Sequence, residues 1–192
     1  MNPAEIVEVL EDRGAILRGH FRLSSGLHSD VFVQKFRIFE RPRLTQRFGD
    51  EIAQLFEGRF DAVASPAVGA IVLGFAVALA ADSRAVFAER EGADLAFRRG
   101  FVLRPHERVL VVEDVVTTGG SAREVVALVK RAGAVPIGIG ALIDRGDASA
   151  RRLEVPLRAL VRLPTNAWTE SECPLCRAGA RIDDPGSRRL RA

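Results

Sequence analysis

The sequence predicts an α/β fold with a mostly parallel central sheet flanked by helices. Strand-like and helix-like patterns alternate along the chain, which is typical of such folds. Residues 109–112 form a continuous apolar run of the kind found in strands that are covered on both faces. The 192 residues, of which 47% are hydrophobic and 28% charged, have the size and composition of one globular domain.

The first part of the chain predicts two helices and three short strands. Asn2 and Pro3 favour a helix start, and Gly14 favours its end. Three apolar runs predict the strands, and apolar residues at helical spacing predict the second helix. The strands cover residues 15–17, 21–23 and 31–33, and the second helix covers residues 41–57.

The rest of the chain predicts strands that alternate with helices around one charged stretch. Residues 89–95 are charged, contain a glycine and offer little apolar anchoring, so we expect them to be mobile. The strand that starts at Asp61 is interrupted at Ser65 and Pro66. The other predicted strands cover residues 85–88, 97–103, 109–112, 136–143 and 157–163, and the predicted helices cover residues 71–81 and 121–133.

An acidic pair followed by a glycine loop is the most informative motif of the chain. Glu113 and Asp114 come at the end of the strand 109–112, where open α/β sheets place their ligand crevice. Residues 117–121 read Thr-Thr-Gly-Gly-Ser and lead into a helix, and the backbone N–H groups of such a loop bind oxyanions. Carboxylates accept hydrogen bonds from a sugar diol. The motif therefore predicts a ligand with both a phosphate and vicinal hydroxyls, such as a ribose 5-phosphate.

Two common nucleotide-binding motifs do not fit this segment. No Gly-Lys-Ser/Thr follows as in a Walker A loop, and the glycines follow the acids instead of preceding them by about 20 positions. Residues 111–121, Val-Val-Glu-Asp-Val-Val-Thr-Thr-Gly-Gly-Ser, resemble the phosphoribosyl pyrophosphate signature of the type I phosphoribosyltransferases. This resemblance implies the type I phosphoribosyltransferase fold with a small N-terminal hood.

Nearly the whole chain resembles the orotate-specific family within that class, in its Thermus-type subgroup. Residues 21–29 resemble the family's hood segment, which closes over the pyrimidine, and residues 65–70 resemble its pyrophosphate loop. Arg145 matches the arginine that meets the substrate. The resemblance implies one domain over residues 1–192. In that domain, residues 1–40 and a C-terminal segment form the hood, and about 41–165 form the core.

By this resemblance, the chain transfers the phosphoribosyl group from 5-phosphoribosyl 1-pyrophosphate to orotate, giving orotidine 5′-monophosphate and pyrophosphate in pyrimidine biosynthesis. Asp114, Glu113 and Arg90 are implied as catalytic residues. The implied cofactor is Mg²⁺, held mainly by substrate oxygens and water, and no residue is assigned as a metal ligand. The implied substrate-binding residues are Ser25, Gly26, Ala67, Val68, Gly69, Arg98, Arg99, Thr117, Thr118, Gly119, Gly120, Ser121 and Arg145.

Arg145 also has a physical reason to bind orotate. A planar guanidinium grips a carboxylate with two hydrogen bonds, and purine substrates carry no carboxylate. The alternative for Arg145 is a surface ion pair with Asp144 or Asp147. The alternative for the hood segment is a plain hairpin turn.

The chain departs from better-studied relatives in its positive charges. Those relatives place lysines in the hood, the pyrophosphate loop and the mobile loop, whereas here Ser24 and Gly69 occupy the first two positions. Either Arg98 or Arg99 supplies the missing charge, or activity is low. Residues 89–97, the lid, are expected to exclude water from the site. In this family the lid commonly serves the neighbouring subunit, which implies a homodimer with a shared active site.

Charge and hydropathy limit the expected partners and location. The net charge is only +3, and Lys35 and Lys130 are the only lysines among 28 basic residues. This arginine bias does not require a nucleic-acid partner. No segment approaches the roughly 20 apolar residues of a membrane span, and the first residues do not form a signal peptide. We expect a cytoplasmic protein without nucleic-acid or membrane partners.

Cys173 and Cys176 form a single Cys-x-x-Cys pair near the end of the chain. Two cysteines cannot fill a tetrahedral zinc site alone, although pairing across a dimer would complete one. A structural turn is favoured over an intersubunit or half-filled metal site and over a redox pair. His20 and His28 are expected to be packing or surface residues.

Two other functions fit parts of the pattern. A purine or xanthine phosphoribosyltransferase would keep the signature, but it has no reason for the hood segment 24–29 or for Arg145. A non-catalytic regulator that senses phosphoribosyl pyrophosphate would keep only the binding loop. Such a regulator is expected to carry a basic nucleic-acid face, which the modest net charge disfavours.

Overall fold

Helices and strands alternate around one large sheet in the computed structural model, which describes residues 1–23, 25–56, 60–92, 94–146 and 153–185. The helices are α1 (Pro3–Asp12), α2 (Phe36–Phe39), α3 (Pro42–Gln54), α4 (Ile71–Ala80), α5 (Gly120–Arg131) and α6 (Pro174–Arg177). The strands are β1 (Ile16–Arg22), β2 (His28–Val33), β3 (Ala62–Pro66), β4 (Arg84–Glu91), β5 (Asp94–Phe97), β6 (Arg108–Val116), β7 (Val135–Asp144) and β8 (Leu157–Arg162).

The central sheet has the strand order β5-β4-β3-β6-β7-β8. Its neighbouring strands are parallel except for β4 and β5, which form an antiparallel hairpin. The mostly parallel sheet flanked by helices is confirmed. Strand β6 lies between β3 and β7, and its residues 109–112 are fully buried because helices cover both faces.

Two apolar clusters hold the helices on the sheet. On one face, α1, α3 and α4 contribute residues such as Ile6, Phe48 and Leu73 to one cluster. On the other face, α5 contributes Val125 and its apolar neighbours to the second. Helices α3 and α4 approach so closely that a Cβ atom on Gly49 would lie 2.6 Å from the backbone of α4.

The hood consists of a separate antiparallel hairpin, β1 and β2, and of C-terminal residues that pair with it. The predicted strands 15–17 and 21–23 are in fact one strand, β1, whose pairing with β2 shifts register between Arg18 and Phe21. In the C-terminal segment, Trp168 bridges to His28 and Asp183 bridges to Phe21. The hood is therefore assembled from both ends of the chain.

The lid differs from its sequence-based description. The return strand is β5 (Asp94–Phe97) instead of residues 97–103, and it pairs with the end of β4. Leu95 is buried in the apolar cluster beneath α5. The prediction of little apolar anchoring was therefore wrong, because alternate side chains of this short strand face the core.

Among the described residues, no helix has both the length and the apolar character that a bilayer crossing requires.

Candidate active site

Three loops meet at the carboxyl edge of the sheet, where ligands of open α/β folds bind. The pyrophosphate loop, residues 65–70, begins in the last two residues of β3, and the phosphate loop, residues 117–121, follows β6. Arg145 follows β7. Parallel pairing of β6 with β3 and with β7 brings the three strand ends side by side.

The acidic pair lies within the last residues of β6 and is almost fully buried. Glu113 is 8% exposed and Asp114 is 2% exposed. The Val115 amide donates a hydrogen bond to Asp114 Oδ1 at 2.6 Å, and the Asp114 amide donates to Glu113 Oε1 at 3.2 Å. The strand backbone therefore fixes both carboxyl groups in place.

The two acids differ in charge. Burial, reinforced by the negative charge of Asp114, raises the pKa of Glu113 from 4.5 to about 8. Glu113 is therefore protonated at neutral pH, while Asp114 forms an ion pair with Lys35. The site presents one hydrogen-bond donor and one negative charge instead of two equal carboxylates.

The raised pKa of Glu113 predicts that the unliganded protein loses stability as pH rises. The contribution of Glu113 to the free energy of unfolding is fully present below about pH 4.5. It declines as pH rises and is lost above the folded pKa of about 8. Between pH 5 and pH 9, we expect Glu113→Gln to reduce the change in the free energy of unfolding by at most about 5 kcal/mol. Urea unfolding at several pH values measures the effect, with Glu8→Gln on the exposed side of α1 as control. Identical pH profiles for the wild type and Glu113→Gln would contradict it.

Lys35 reaches the acidic pair from the hood, and the sequence did not single it out. Its Nζ atom lies 2.6 Å from Asp114 Oδ2. A Cβ atom on Gly69 would overlap both Lys35 and Asp114, so only glycine lets the pyrophosphate loop pass this close. The hood does supply a lysine, at position 35 instead of position 24. Ser24 itself lies outside the described residues.

The phosphate loop runs directly into α5. Gly119 is the residue before the helix and has φ +74°, a conformation that glycine adopts without strain. Thr117 and Thr118 are exposed, whereas Gly119 is buried. The first N–H groups of a helix have no partner within it, so the start of α5 suits an anion.

The pyrophosphate loop combines close packing with one exposed side chain. Its peptide bond between Ala67 and Val68 is cis, and the Ala67 amide donates to the Ala88 carbonyl at 2.7 Å. Val68 is strongly exposed, whereas Gly69 lies against Asp114.

Three of the four arginines assigned from the sequence contact acids near the lid. Arg90 binds both carboxylate oxygens of Glu124, on α5, at 2.6 and 3.1 Å. Arg99 likewise donates hydrogen bonds to both carboxylate oxygens of Glu89. These bonds hold the pKa of Glu89 below its ordinary value. Arg98 lies 3.6 Å from Glu91. Lys35 contacts the acidic pair in this conformation.

Arg145 connects the core to the hood. Its guanidinium donates to Thr165 Oγ1 at 2.7 and 3.1 Å and to the Val31 carbonyl of β2 at 3.4 Å. Burial lowers the pKa of Arg145, and the nearby Asp30 carboxylate opposes this shift. Asp147, one alternative partner from the sequence, lies outside the described residues.

Ser25 and Gly26 form the exposed tip of the hood hairpin. The Gly26 amide donates to the Leu23 carbonyl at 2.9 Å, and Gly26 has φ +85°. Their hydrogen bonds are local to the turn. This tip can therefore move relative to the sheet without breaking core contacts.

A cavity of 1120 Å³ lies at the opposite edge of the sheet. Its lining includes Asp61, Arg84 and Glu107, which stand near the amino ends of parallel strands. Ligands of open α/β sheets bind at the carboxyl ends of the strands, so this cavity lies away from the candidate active site.

Similarity to known proteins identifies the class to which this chain belongs. The family model described as a phosphoribosyl transferase domain matches residues 38–175. The fold is that of a phosphoribosyltransferase. Curated relatives then narrow the class. An orotate phosphoribosyltransferase of Caldanaerobacter subterraneus is 44% identical over 99% of this chain and 100% of its own length. The chain belongs to the orotate phosphoribosyltransferase family.

Two further proteins agree with this assignment. An orotate phosphoribosyltransferase of Thermotoga maritima is 43% identical over 97% of this chain and 100% of its own length. The crystal structure of orotate phosphoribosyltransferase from Aeropyrum pernix aligns with a TM-score of 0.68 at 26% identity, covering 82% of this chain and 93% of that chain. The purine and regulator alternatives are not favoured.

Proposed function

We infer that the chain is an enzyme that transfers the phosphoribosyl group from 5-phosphoribosyl 1-pyrophosphate to orotate, releasing pyrophosphate. The observation that carries this inference is the similarity to orotate phosphoribosyltransferases along nearly the full length of both chains. Its product, orotidine 5′-monophosphate, is a precursor in pyrimidine biosynthesis. Both substrates are charged metabolites, and a cytoplasmic location is part of the proposal.

The phosphate loop and the acidic pair hold the ribose 5-phosphate part of the donor. The 5′-phosphate binds the amides at the start of α5, with hydroxyl donors from Thr117, Thr118 and Ser121. Asp114 accepts a hydrogen bond from a ribose hydroxyl. Glu113 is protonated before the donor binds, so it can donate a hydrogen bond where Asp114 accepts one.

Arg145 and the hood hold orotate. The guanidinium of Arg145 turns from Thr165 to the carboxylate of orotate, which accepts two charge-assisted hydrogen bonds. Thr117 contacts the pyrimidine, and the tip residues Ser25 and Gly26 close over it. The exposed position of the tip leaves space for the substrate to enter before closure.

The reaction breaks the bond between the anomeric carbon and the pyrophosphate oxygen. The electron pair of this bond leaves with pyrophosphate. A ring nitrogen of orotate gives its lone pair to the same carbon, and its proton passes to solvent water. The sugar carbon is cationic in between, and the buried charge of Asp114 stabilises it. Lys35 lies next to Asp114 and Gly69, where it neutralises the departing pyrophosphate, together with Arg90.

The oxygen donors at this edge fit a Mg²⁺ ion that is held mainly through substrate and water. Asp114 Oδ2 is buried and paired with Lys35, so it is poorly placed to serve as a direct ligand. Glu113 and Asp114 would instead contact the hydroxyls and waters around the ion. When bound, Mg²⁺ supplies positive charge that stabilises the pyrophosphate leaving group.

A homodimer is part of the proposed function, and α4 supports it. All ten residues of α4 are apolar or glycine, yet one side of the helix faces solvent. Val72, Phe75 and Leu79 are 45%, 61% and 62% exposed and recur at helical spacing. A helix that is apolar all round is normally buried, so a second copy of the chain is expected to cover this stripe.

Replacing Phe75 by aspartate is expected to dissociate the dimer. A charge at the centre of an apolar interface should weaken association by at least about 100-fold. Sedimentation velocity over a range of concentrations measures the change. Val102→Asp is the matched control, because Val102 is also an exposed apolar residue but lies outside α4. A wild type that sediments as a monomer at high micromolar concentration would contradict the proposal.

The activity itself is tested by mixing the purified protein with orotate, phosphoribosyl pyrophosphate and Mg²⁺. We expect a loss of orotate absorbance that requires all three components. Adenine, hypoxanthine and xanthine in place of orotate should release no pyrophosphate. Folded protein that leaves orotate unchanged, or that prefers a purine, would overturn the proposed function.

A further inference from the structure

A second cluster of reactive side chains lies in the hood, away from the acidic pair. It consists of His20 on β1, His28 at the start of β2, and Cys173 and Cys176 at α6. One nitrogen or sulfur atom of each residue lies within 4.8 Å of all the others. The two cysteines are thus completed by two histidines of the same chain, and no partner subunit is needed to reach four ligands.

The distances within the cluster suit a tetrahedral metal ion. His20 Nε2 lies 3.0 Å from His28 Nδ1 and 3.5 Å from Cys173 Sγ. Cys176 Sγ lies 3.7 Å from His20 Nε2 and 3.2 Å from His28 Nδ1. Ligand atoms around tetrahedral zinc stand about 3.3–3.8 Å apart, given its usual bond lengths to nitrogen and sulfur. These four distances lie within about 0.3 Å of that range, and no pair of the four ligand atoms is more than 4.8 Å apart.

A hydrogen bond to the second ring nitrogen of His20 sets the tautomer that metal binding requires. His20 Nδ1 lies 2.9 Å from the Ala180 carbonyl oxygen. A carbonyl only accepts, so Nδ1 carries the hydrogen, and the tautomer with hydrogen on Nδ1 alone turns the lone pair of Nε2 toward the cluster. Metal-binding histidines commonly donate their other N–H to a carbonyl in this way.

Burial and backbone pairing make the cluster a prepared site and not a chance surface group. Cys173 is 0% exposed, His28 1% and His20 4%. Buried polar groups of this kind are costly unless bonded to a partner. Trp168 exchanges two backbone hydrogen bonds with His28, and the Asp183 amide donates to the His20 carbonyl. The C-terminal segment thus holds the cysteines over the hairpin.

We propose that His20, His28, Cys173 and Cys176 bind one zinc ion per chain and that this ion fastens the C-terminal segment to the β1–β2 hairpin. Two thiolates and two imidazoles favour zinc over Mg²⁺, which prefers oxygen ligands. Four protein ligands leave no open position, so the ion is structural and takes no part in the reaction.

The zinc site has a consequence for the substrate, which rests on the proposed function. His20 and His28 stand on either side of the turn that carries Ser25 and Gly26. The ion therefore anchors both strands that lead to the tip. Loss of zinc is expected to raise KM for orotate more than KM for phosphoribosyl pyrophosphate, because the donor binds to the core loops.

Metal analysis of the full-length protein tests the site without reference to activity. The protein is produced with zinc in the medium and purified without chelators. We expect one zinc ion per chain in the wild type and in His106→Asn, which changes the third histidine of the chain. Cys173→Ser and Cys176→Ser should lose most of the zinc. Chelation should lower the unfolding temperature of the wild type by more than about 5 °C.

Cobalt substitution keeps the test valid if the cysteine variants fail to fold. Co²⁺ added to zinc-free wild type should give the visible absorption of a tetrahedral ion and the thiolate charge-transfer bands. Far less than one zinc ion per chain together with no such cobalt spectrum would overturn the proposal. A disulfide between Cys173 and Cys176 in the freshly purified protein, seen as the loss of two hydrogens by mass spectrometry, would also overturn it. Neither result would affect the proposed transferase activity.

Discussion

Asp114→Asn is expected to lower kcat for orotate consumption by roughly 10²- to 10³-fold while leaving the fold intact. Asparagine keeps the shape of the side chain and can still accept the hydrogen bond from the Val115 amide. It removes the negative charge next to the carbon that becomes cationic. A preorganised charge in a buried site stabilises the transition state more than it would in water.

Glu113→Gln is the matched comparison for this variant. Since Glu113 has a pKa of about 8, it is already uncharged at neutral pH, and glutamine resembles that protonated form. We expect kcat to fall by less than about tenfold at pH 7. Steady-state kinetics for both variants, with far-UV circular dichroism to check folding, measure the difference. Equal losses would show that the two carboxyl groups act alike and would contradict the charge assignment.

Lys35→Gln is expected to lower kcat/KM for phosphoribosyl pyrophosphate by about 10²-fold, because it removes the cation nearest the pyrophosphate loop. The chain offers a close control in Lys130, its only other lysine. Lys130 pairs with Glu154 on the surface near the end of α5. Lys130→Gln should therefore change kcat/KM by no more than about twofold.

Lys35→Gln also leaves the buried Asp114 without its cation, which is expected to cost about 1–3 kcal/mol of stability. Lys35→Arg separates this effect from catalysis, since it keeps the positive charge. We expect Lys35→Arg to retain most of the stability and to recover part of kcat/KM. Kinetics at a temperature where all variants are folded measure the effect. If Lys35→Gln and Lys130→Gln behave alike there, Lys35 has no role in donor binding.

Local patterns explain why the body of the fold was predictable. Strand β6 and helix α5 follow from a continuous apolar run, a glycine loop and an amphipathic stretch, all within residues 108–131. Each signal depends only on near neighbours in the chain. The lid illustrates the limit, because Leu95 and Phe97 alternate as in a strand, but the charges around them suggested a mobile loop.

Long-range contacts explain what the sequence did not reveal. Lys35 is isolated in sequence from Asp114, and only the position of the hood over the sheet brings their charges together. The scarcity of lysine was the one available signal. His20 and His28 lie on facing strands of a hairpin, a hint that their rings are close. Nothing local indicated that the Cys-x-x-Cys segment would fold back onto them.

The pyrophosphate loop continues into α4 without an intervening linker, so the proposed donor site and the proposed dimer interface use adjacent residues. Gly69 faces Asp114, whereas Val68 and Val72 face solvent on the side of the proposed interface. Where two binding equilibria are linked through a shared segment, the coupling must be equal in both directions. If donor binding tightens subunit association by some factor, association tightens donor binding by the same factor. Dilution would then weaken the binding of the donor before it weakened the binding of orotate.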